Sequence, residues 1–373
     1  MNKSKPTPLL IALLAGALLF LVTRGRASED DPFPIPAIEW KPKTYVCYRT
    51  DKPLDIDGHV DEPSWAKAEW TDDFVDIEGS RQPSPRFRTR VKMLWDSTYF
   101  YVAAELEEPD VWATLVTHDT VIYYDNDFEV FIDPDGDTHE YYELEVNALD
   151  TEWDLLLLKP YRDGGPALHD WDIPGLKTAV YVDGTLNQPG DTDVGWTVEI
   201  AFPWTGLWEY AHGPTPPDSG DQWRVNFSRV EWQIEVIEDR YHKIADPDTG
   251  EPLDEDNWVW SPQGLIAMHY PEMWGFVQFS SRLVGTSRDT FEHRPIDAAG
   301  WALRQIYYAQ KSWHAEHGGY AGNIDLLPVK DPGLEGFSWP PVLVIAPGGF
   351  KATFVDEEGE SLSITQDGRL WSR

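Results

Sequence analysis

The chain of 373 residues has a single cysteine, Cys47, and only four methionines. One thiol closes no intrachain disulfide, so a fold built from this sequence must stand on core packing and bound ions. Positive charge is scarce too: 30 Lys+Arg stand against 65 Asp+Glu, a formal charge of -35. A surface of that sign repels phosphate backbones and anionic bilayers. It excludes nucleic acid as a partner class and leaves neutral or cationic ligands and divalent metal. Motifs of common enzyme chemistry are missing. There is no Gly-rich phosphate loop, no Gly-x-Ser-x-Gly elbow, no Cys-x-x-Cys-His, and no pair at zinc spacing among His118, His139, His169 and His269.

Long apolar runs are also lacking, with one exception. Lys3 and Lys5 precede an apolar stretch from Leu9 to Val22, followed by Arg24, Gly25, Arg26, Ala27 and Ser28. A charged start, a run shorter than the ~20 residues that span a bilayer and a small-residue exit read as a secretory signal over residues 1–27. Arg24 and Arg26 keep an uncleaved membrane tether open as the other reading. Either way the protein is expected to be secreted, periplasmic or on the cell surface. Residues 28–43 are acidic and proline-rich, a composition expected of a linker.

From Thr44 to about residue 283 the chain alternates short apolar runs with Gly, Pro, Asp and Asn. Strands are predicted at Arg90 to Trp95, Tyr99 to Leu106, Phe128 to Asp133, Tyr141 to Ala148, Thr178 to Val182, Gly195 to Phe202, Trp223 to Glu231 and Trp274 to Phe279. Asp96-Ser97-Thr98, Pro134-Asp135-Gly136-Asp137 and Asp183-Gly184 supply the turns. The fold class predicted is all-β, an antiparallel β-sandwich over residues 44–283, with Cys47 on a buried strand. Residues 287–373 form a small C-terminal α+β appendage. Ala298, Ala299, Leu303, Ile306, Tyr307, Gln310 and Trp313 mark one amphipathic helix, with Asp297 as N-cap and Gly318-Gly319 as stop. Strand-like runs follow at Val342 to Ile345, Lys351 to Asp356 and Ser361 to Thr365.

What the chain has in abundance is aromatic surface, 19 Trp and 16 Tyr. Sugar rings offer flat C–H patches to such faces, while carboxylates and amides take their hydroxyls. Several blocks place these residues in a frame: Leu54-Asp55-Ile56-Asp57-Gly58 with Trp65, then Val91 to Asp96 leading into Tyr99 to Val102. Asp125 to Asp133, Tyr141 to Asn147, Gly195 to Trp204, Asp221 to Arg229, and Trp258 to Ser261 with Trp274-Gly275 follow in order. Together they resemble the family 9 carbohydrate-binding modules, a β-sandwich type related to DOMON-like domains, over about residues 44–282.

The resemblance implies a non-catalytic module that holds an oligo- or polysaccharide between aromatic faces and commonly carries structural calcium. A clamp tryptophan of the family falls on Tyr123, and family polar contacts fall on Glu129 and Asn147. A family arginine falls on Glu145, which reverses a charge in the pocket. The second clamp falls near Met268-His269, close to Trp260. The ligand contacts implied are therefore Tyr123, Glu129, Asn147, His269 and Trp260. For metal, Asp133, Asp135 and Asp137 around Gly136 suggest a calcium loop, although Leu144 stands where an EF-hand needs its last acid, and a hairpin turn is the other reading. Asp125 and Asp127 beside Glu129 form a second acidic group. Two alternatives differ in class. A DOMON-like haem module would draw on Met93, Met268, Met273 and His269, and a glycanase accessory would owe any hydrolase activity to a partner, since 65 acidic residues guarantee carboxylate pairs without a catalytic cleft.

Overall fold

Alternation in the middle of the chain does become strands in the computed structural model, which describes residues 33–373. The predicted signal at 1–27 lies outside the described residues. Strands β1 (Thr44–Arg49), β2 (Val75–Asp76), β3 (Thr89–Trp95), β4 (Tyr99–Glu107), β5 (Asp127–Asp133), β6 (Tyr141–Asn147), β7 (Glu152–Leu157) and β8 (Ala167–Leu168) come first. They are followed by β9 (Lys177–Asp183), β10 (Gly195–Pro203), the short helix α1 (Trp204–Leu207), β11 (Gln222–Glu231), β12 (Ile234–Ile237), β13 (Arg240–Lys243), β14 (Asp256–Val259) and β15 (Gly275–Leu283).

The ladder runs β8-β7-β6-β5-β11-β15-β1-β3-β4-β10-β9, with β14 on β11 and β2 on β14. It is antiparallel except at β1, which lies parallel to both β15 and β3. Strand β1 thereby joins two layers whose apolar sides meet. Phe128, Val130 and Ile132 of β5 and Tyr142, Leu144 and Val146 of β6 share one core with Val91, Met93 and Trp95 of β3 and Val198, Ile200 and Phe202 of β10. Burying each such side chain is worth about 1.5–3 kcal/mol, so this interleaving is what closes the sandwich. Cys47 is fully buried there. The hairpin β12–β13 was not predicted. Its turn residues Glu238 and Asp239 both adopt positive φ, the conformation a two-residue hairpin turn requires.

The appendage holds helix α2 (Pro295–His317) and strands β16 (Val342–Ala346), β17 (Gly349–Val355), β18 (Ser361–Thr365) and β19 (Leu370–Ser372), paired in that order. The helix starts two residues before the expected cap. Proline at the first helical position, with its preset φ, puts the cap at Arg294 and leaves Asp297 in the first turn, 3.4 Å from the Arg294 guanidinium. Gly318 ends it in a left-handed conformation, φ 70°.

This unit has its own core, where Leu303, Ile306 and Tyr307 meet Phe350, Phe354 and Ile364. Tyr270 and Met273 of the sandwich join it, as do Phe33, Ile38 and Trp40. The described part of the predicted linker, residues 33–43, is therefore packed: Trp40 stacks on Trp301 with centroids 5.4 Å apart, and Tyr270 donates to the Pro34 carbonyl at 2.9 Å. Proline keeps this stretch extended, so little entropy is lost when its three apolar side chains dock. A buried ion network ties the units together. Arg162 and Arg304 lie 2.9 and 3.6 Å from Glu272, Tyr308 donates to Glu272, and Tyr307 and Lys311 reach Asp163. Burial alone would push the Glu272 carboxyl up, but the two guanidinium groups outweigh it and hold the group at about 2. Among the described residues no helix is long and apolar enough to cross a membrane.

Candidate functional site

One face of β5, β6 and β11 is taken by the sandwich core; the other is not, and register decides what stands on it. Because paired residues on antiparallel strands project to the same side, the ladder sets out cross-strand rows. One row is Trp153–Glu145–Glu129–Ser228–Val259, and the next is Leu155–Glu143–Phe131–Asn226. Asp127 opposes Asn147 in the row on the other side. This outer face is thus a mosaic of carboxylates and aromatic rings. It is covered in part by the turn Ile122–Tyr124 and by residues 261–270, both packed on the same apolar cluster of Phe131, Tyr141, Trp153 and Trp274.

Tyr123 sits at one end. Its N–H donates to Glu145 at 3.0 Å, its carbonyl accepts from the Trp232 indole at 2.9 Å, and its ring lies 5.0 Å from that of Tyr124. Trp232 in turn carries the Lys243 ammonium 3.3 Å from its ring centroid. Desolvation lowers the Lys243 ammonium to about 8 despite the nearby Asp125 and Glu255. His269 sits at the other end, where its Nδ1 shares a 2.9 Å hydrogen bond with the Tyr141 hydroxyl and the Tyr161 ring meets it edge-on at 4.5 Å. Rings at both ends stay accessible, with Tyr124 and Tyr161 each 49% exposed. Between them lie Glu129 and Glu145, directly paired across β5 and β6, and Glu143, two residues from Glu145 along a strand that advances about 7 Å per two residues.

Tyr123, Glu129 and His269 thus lie on one face. Asn147 has a different job: its amide donates to the Leu115 carbonyl and Asp125, and its oxygen accepts from Leu149 and Thr151 N–H. It organises the β6–β7 turn and the chain beside it. Trp260 corrects the prediction. It is 1% exposed inside the sandwich core, with its ring against Phe227 and the face of Gly275, so it offers nothing to a ligand. Met93, Met268 and Met273 fall in three different apolar clusters. Tyr124, Trp232, Lys243 and Tyr161 were missed. The first and last are legible as exposed aromatics next to turns, but Trp232 and Lys243 arrive through the unpredicted hairpin.

Among the described residues, three groups of side chains can surround a metal ion: His118 with Asp119, Asp154 and Asp172; Asp127 with Glu129 and Glu145; and Asp133 with Asp135 and Asp137. The last is the predicted loop, and protein groups already serve it. Asp133 accepts the Gly136 and Thr138 N–H, Asp137 accepts Arg369 at 2.7 Å, and Asp135 pairs with His212 at 2.7 Å. Asp125 stands apart from its predicted cluster, since both oxygens are taken by Thr114, Leu115 and Asn147.

Comparison with known proteins bears on the same region. No match was found among curated protein sequences. Among solved structures, the chain is similar to a candidate carbohydrate-binding protein of Bacteroides uniformis, at 16% identity and TM-score 0.47, covering 64% of this chain and 100% of that one. It is also similar to a family 9 carbohydrate-binding module of Caldicellulosiruptor kristjanssonii, solved with cellotriose and with glucose. These comparisons give 16% identity, TM-scores of 0.39 and 0.40, and coverage of 66% of this chain against 99% and 100% of the other. Residues 56–220, which include β3 to β10 and most of the outer face described above, match the family model described as carbohydrate family 9 binding domain-like. Over residues 56–220 the chain is therefore similar to the family 9 carbohydrate-binding domains.

Proposed function

We propose that this protein is an exported sugar receptor that holds an oligo- or polysaccharide over the outer face of β5 and β6, between the Tyr123–Tyr124 corner and the His269–Tyr161 corner. The observation that carries this reading is the placing of accessible rings at both ends of a carboxylate-bearing face. Rings stack on the apolar faces of pyranose units. Export follows from the charged-then-apolar N-terminal stretch of the sequence, and an uncleaved form would tether the module to a membrane. Glycan-degrading partners would supply any hydrolysis. A hard cation such as calcium belongs to the same reading, because the acidic groups of the fold can surround one.

Calorimetric titration of the purified protein against soluble xylan, glucan and their short oligosaccharides tests this. Saturable heat with an affinity that falls in Tyr123→Ala and His269→Ala supports the proposed face. No heat from any glycan with a folded protein overturns it.

A further inference from the structure

Asp127, Glu129, Glu143 and Glu145 are all buried, and their strands place them on one side of the sheet. One carboxylate oxygen from each of Asp127, Glu129 and Glu145 falls within 4.8 Å of the others. Two oxygens bound to one calcium-sized ion at about 2.4 Å are at most about 4.8 Å apart, so the three fit around a single ion. Two oxygens of the set are not used elsewhere. Asp127 Oδ1 accepts the Val230 N–H, yet Oδ2 has no hydrogen-bond partner among the described residues, and the same holds for Glu143 Oε2.

An independent group points to the same place. Ser228 is 0% exposed, and its hydroxyl likewise has no partner among the described residues. It stands opposite Glu129 in the β11–β5 register, so its side chain leaves the sheet on the carboxylate face. A buried hydroxyl without a partner is costly. Here the nearest company the register gives it is an acidic row. The strongest electrostatic influences on Glu143 and Glu145 come from neighbouring carboxylates, not from any basic side chain. The Asp133 loop differs in this respect, being served by Arg369, His212 and backbone N–H groups.

We infer that Asp127, Glu129 and Glu145 hold one calcium-type divalent cation, with the Ser228 hydroxyl as a further oxygen. The ion supplies the positive charge that this row of buried carboxylates lacks. It also ties β5, β6 and β11 together beneath the Tyr123 turn, whose N–H is already fixed by Glu145. This site stands whether or not a sugar binds above it.

The test uses the full chain stripped with chelator and dialysed at pH 7.5. Its readouts are thermal unfolding with added calcium and terbium luminescence sensitised by nearby tryptophan, Trp153 standing directly across from Glu145. Calcium should raise the melting temperature and compete with terbium emission. Asp127→Asn and Glu145→Gln should each weaken both responses at least tenfold, while Asp137→Asn in the other acidic loop keeps them. Glu145→Gln removes a buried charge and is expected to fold without metal, which keeps the comparison valid if Asp127→Asn does not fold. A stripped protein that responds to neither ion, or a folded Glu145→Gln that responds as the parent does, overturns the site.

Discussion

Glu145 faces Glu129 directly across the β5–β6 ladder, and both carboxylates are buried. Like charges in directly opposed positions destabilise a sheet. Desolvation comes first in raising the Glu145 carboxyl well above its ordinary range, followed by Glu129, Asp127 and Glu143. Asp127 and Glu143 are raised in the same way, by burial and then by Glu129. Without a cation, therefore, the folded protein binds protons at this face that the unfolded chain would release.

The sign of the pH dependence follows. A carboxyl raised on folding stabilises fully below its unfolded value of about 4, and that stability is lost as pH rises toward the folded value. Metal-free protein should thus lose stability between about pH 4 and neutrality. Denaturant unfolding across that range should show the fall, calcium should oppose it at pH 7, and Glu145→Gln should flatten it. A metal-free profile that rises steadily with pH through this window would contradict the assignment.

Ligand affinity is expected to divide the aromatic residues into two groups. Tyr123→Ala and His269→Ala remove rings from the proposed sugar face. Each stacking contact is worth about 0.5–1.5 kcal/mol, which corresponds to a fall in affinity of roughly 2- to 13-fold. Trp208 is 63% exposed but lies outside that face, in the turn after α1, and Trp208→Ala should leave glycan binding unchanged. Calorimetric titration of the three variants checks the division, and loss of binding in Trp208→Ala alone would move the site.

Trp260 should behave as a core residue. Its ring fills the space beside Gly275 so closely that a Cβ there would come within 2.3 Å of it. Trp260→Ala is expected to cost about 3–5 kcal/mol, and Gly275→Ala about 1–3 kcal/mol through overpacking. Both are readable as shifts of the urea midpoint. A Trp260→Ala protein of parental stability that had lost sugar affinity would restore this residue to the binding site.

The residues that were misjudged from sequence show where its information ends. Alternation in Asp127 to Asp133 and Tyr141 to Asn147 identifies two strands and separates their faces. It does not tell whether the polar face meets water. Here it is covered in part by Ile122–Tyr124 and residues 261–270, segments more than 100 residues apart, and Glu129 and Glu145 are buried. Trp260 failed for the converse reason: proximity to His269 in sequence says nothing about a ring that points into the sandwich. The β12–β13 hairpin has no strong apolar alternation, and its Lys243 reaches the site only by folding back onto Trp232. Gly318, by contrast, was legible because the stop of a helix depends on one residue and its own conformation.

Residues 33–43 and the α2 unit should unfold with the sandwich, because Glu272 makes them one structure. This carboxylate leaves the loop before β15 and is shared by Arg162 of the sandwich and Arg304 of α2. Glu272→Gln would leave the buried Arg304 guanidinium without its carboxylate and Arg162 with Asp163 alone, at a cost of about 3–5 kcal/mol. In the parent protein the depressed Glu272 carboxyl stabilises above its unfolded value of about 4.3, and this contribution is lost as pH falls toward 2. The acid limb of the stability profile should therefore weaken in Glu272→Gln, while the behaviour between pH 4 and 7 set by Glu145 stays. Calorimetry should record one transition for the parent. A separate early transition, unaffected by Glu272→Gln, would mean that the appendage only rests on the sandwich, and that Tyr270, Met273 and Trp40 contribute no shared stability.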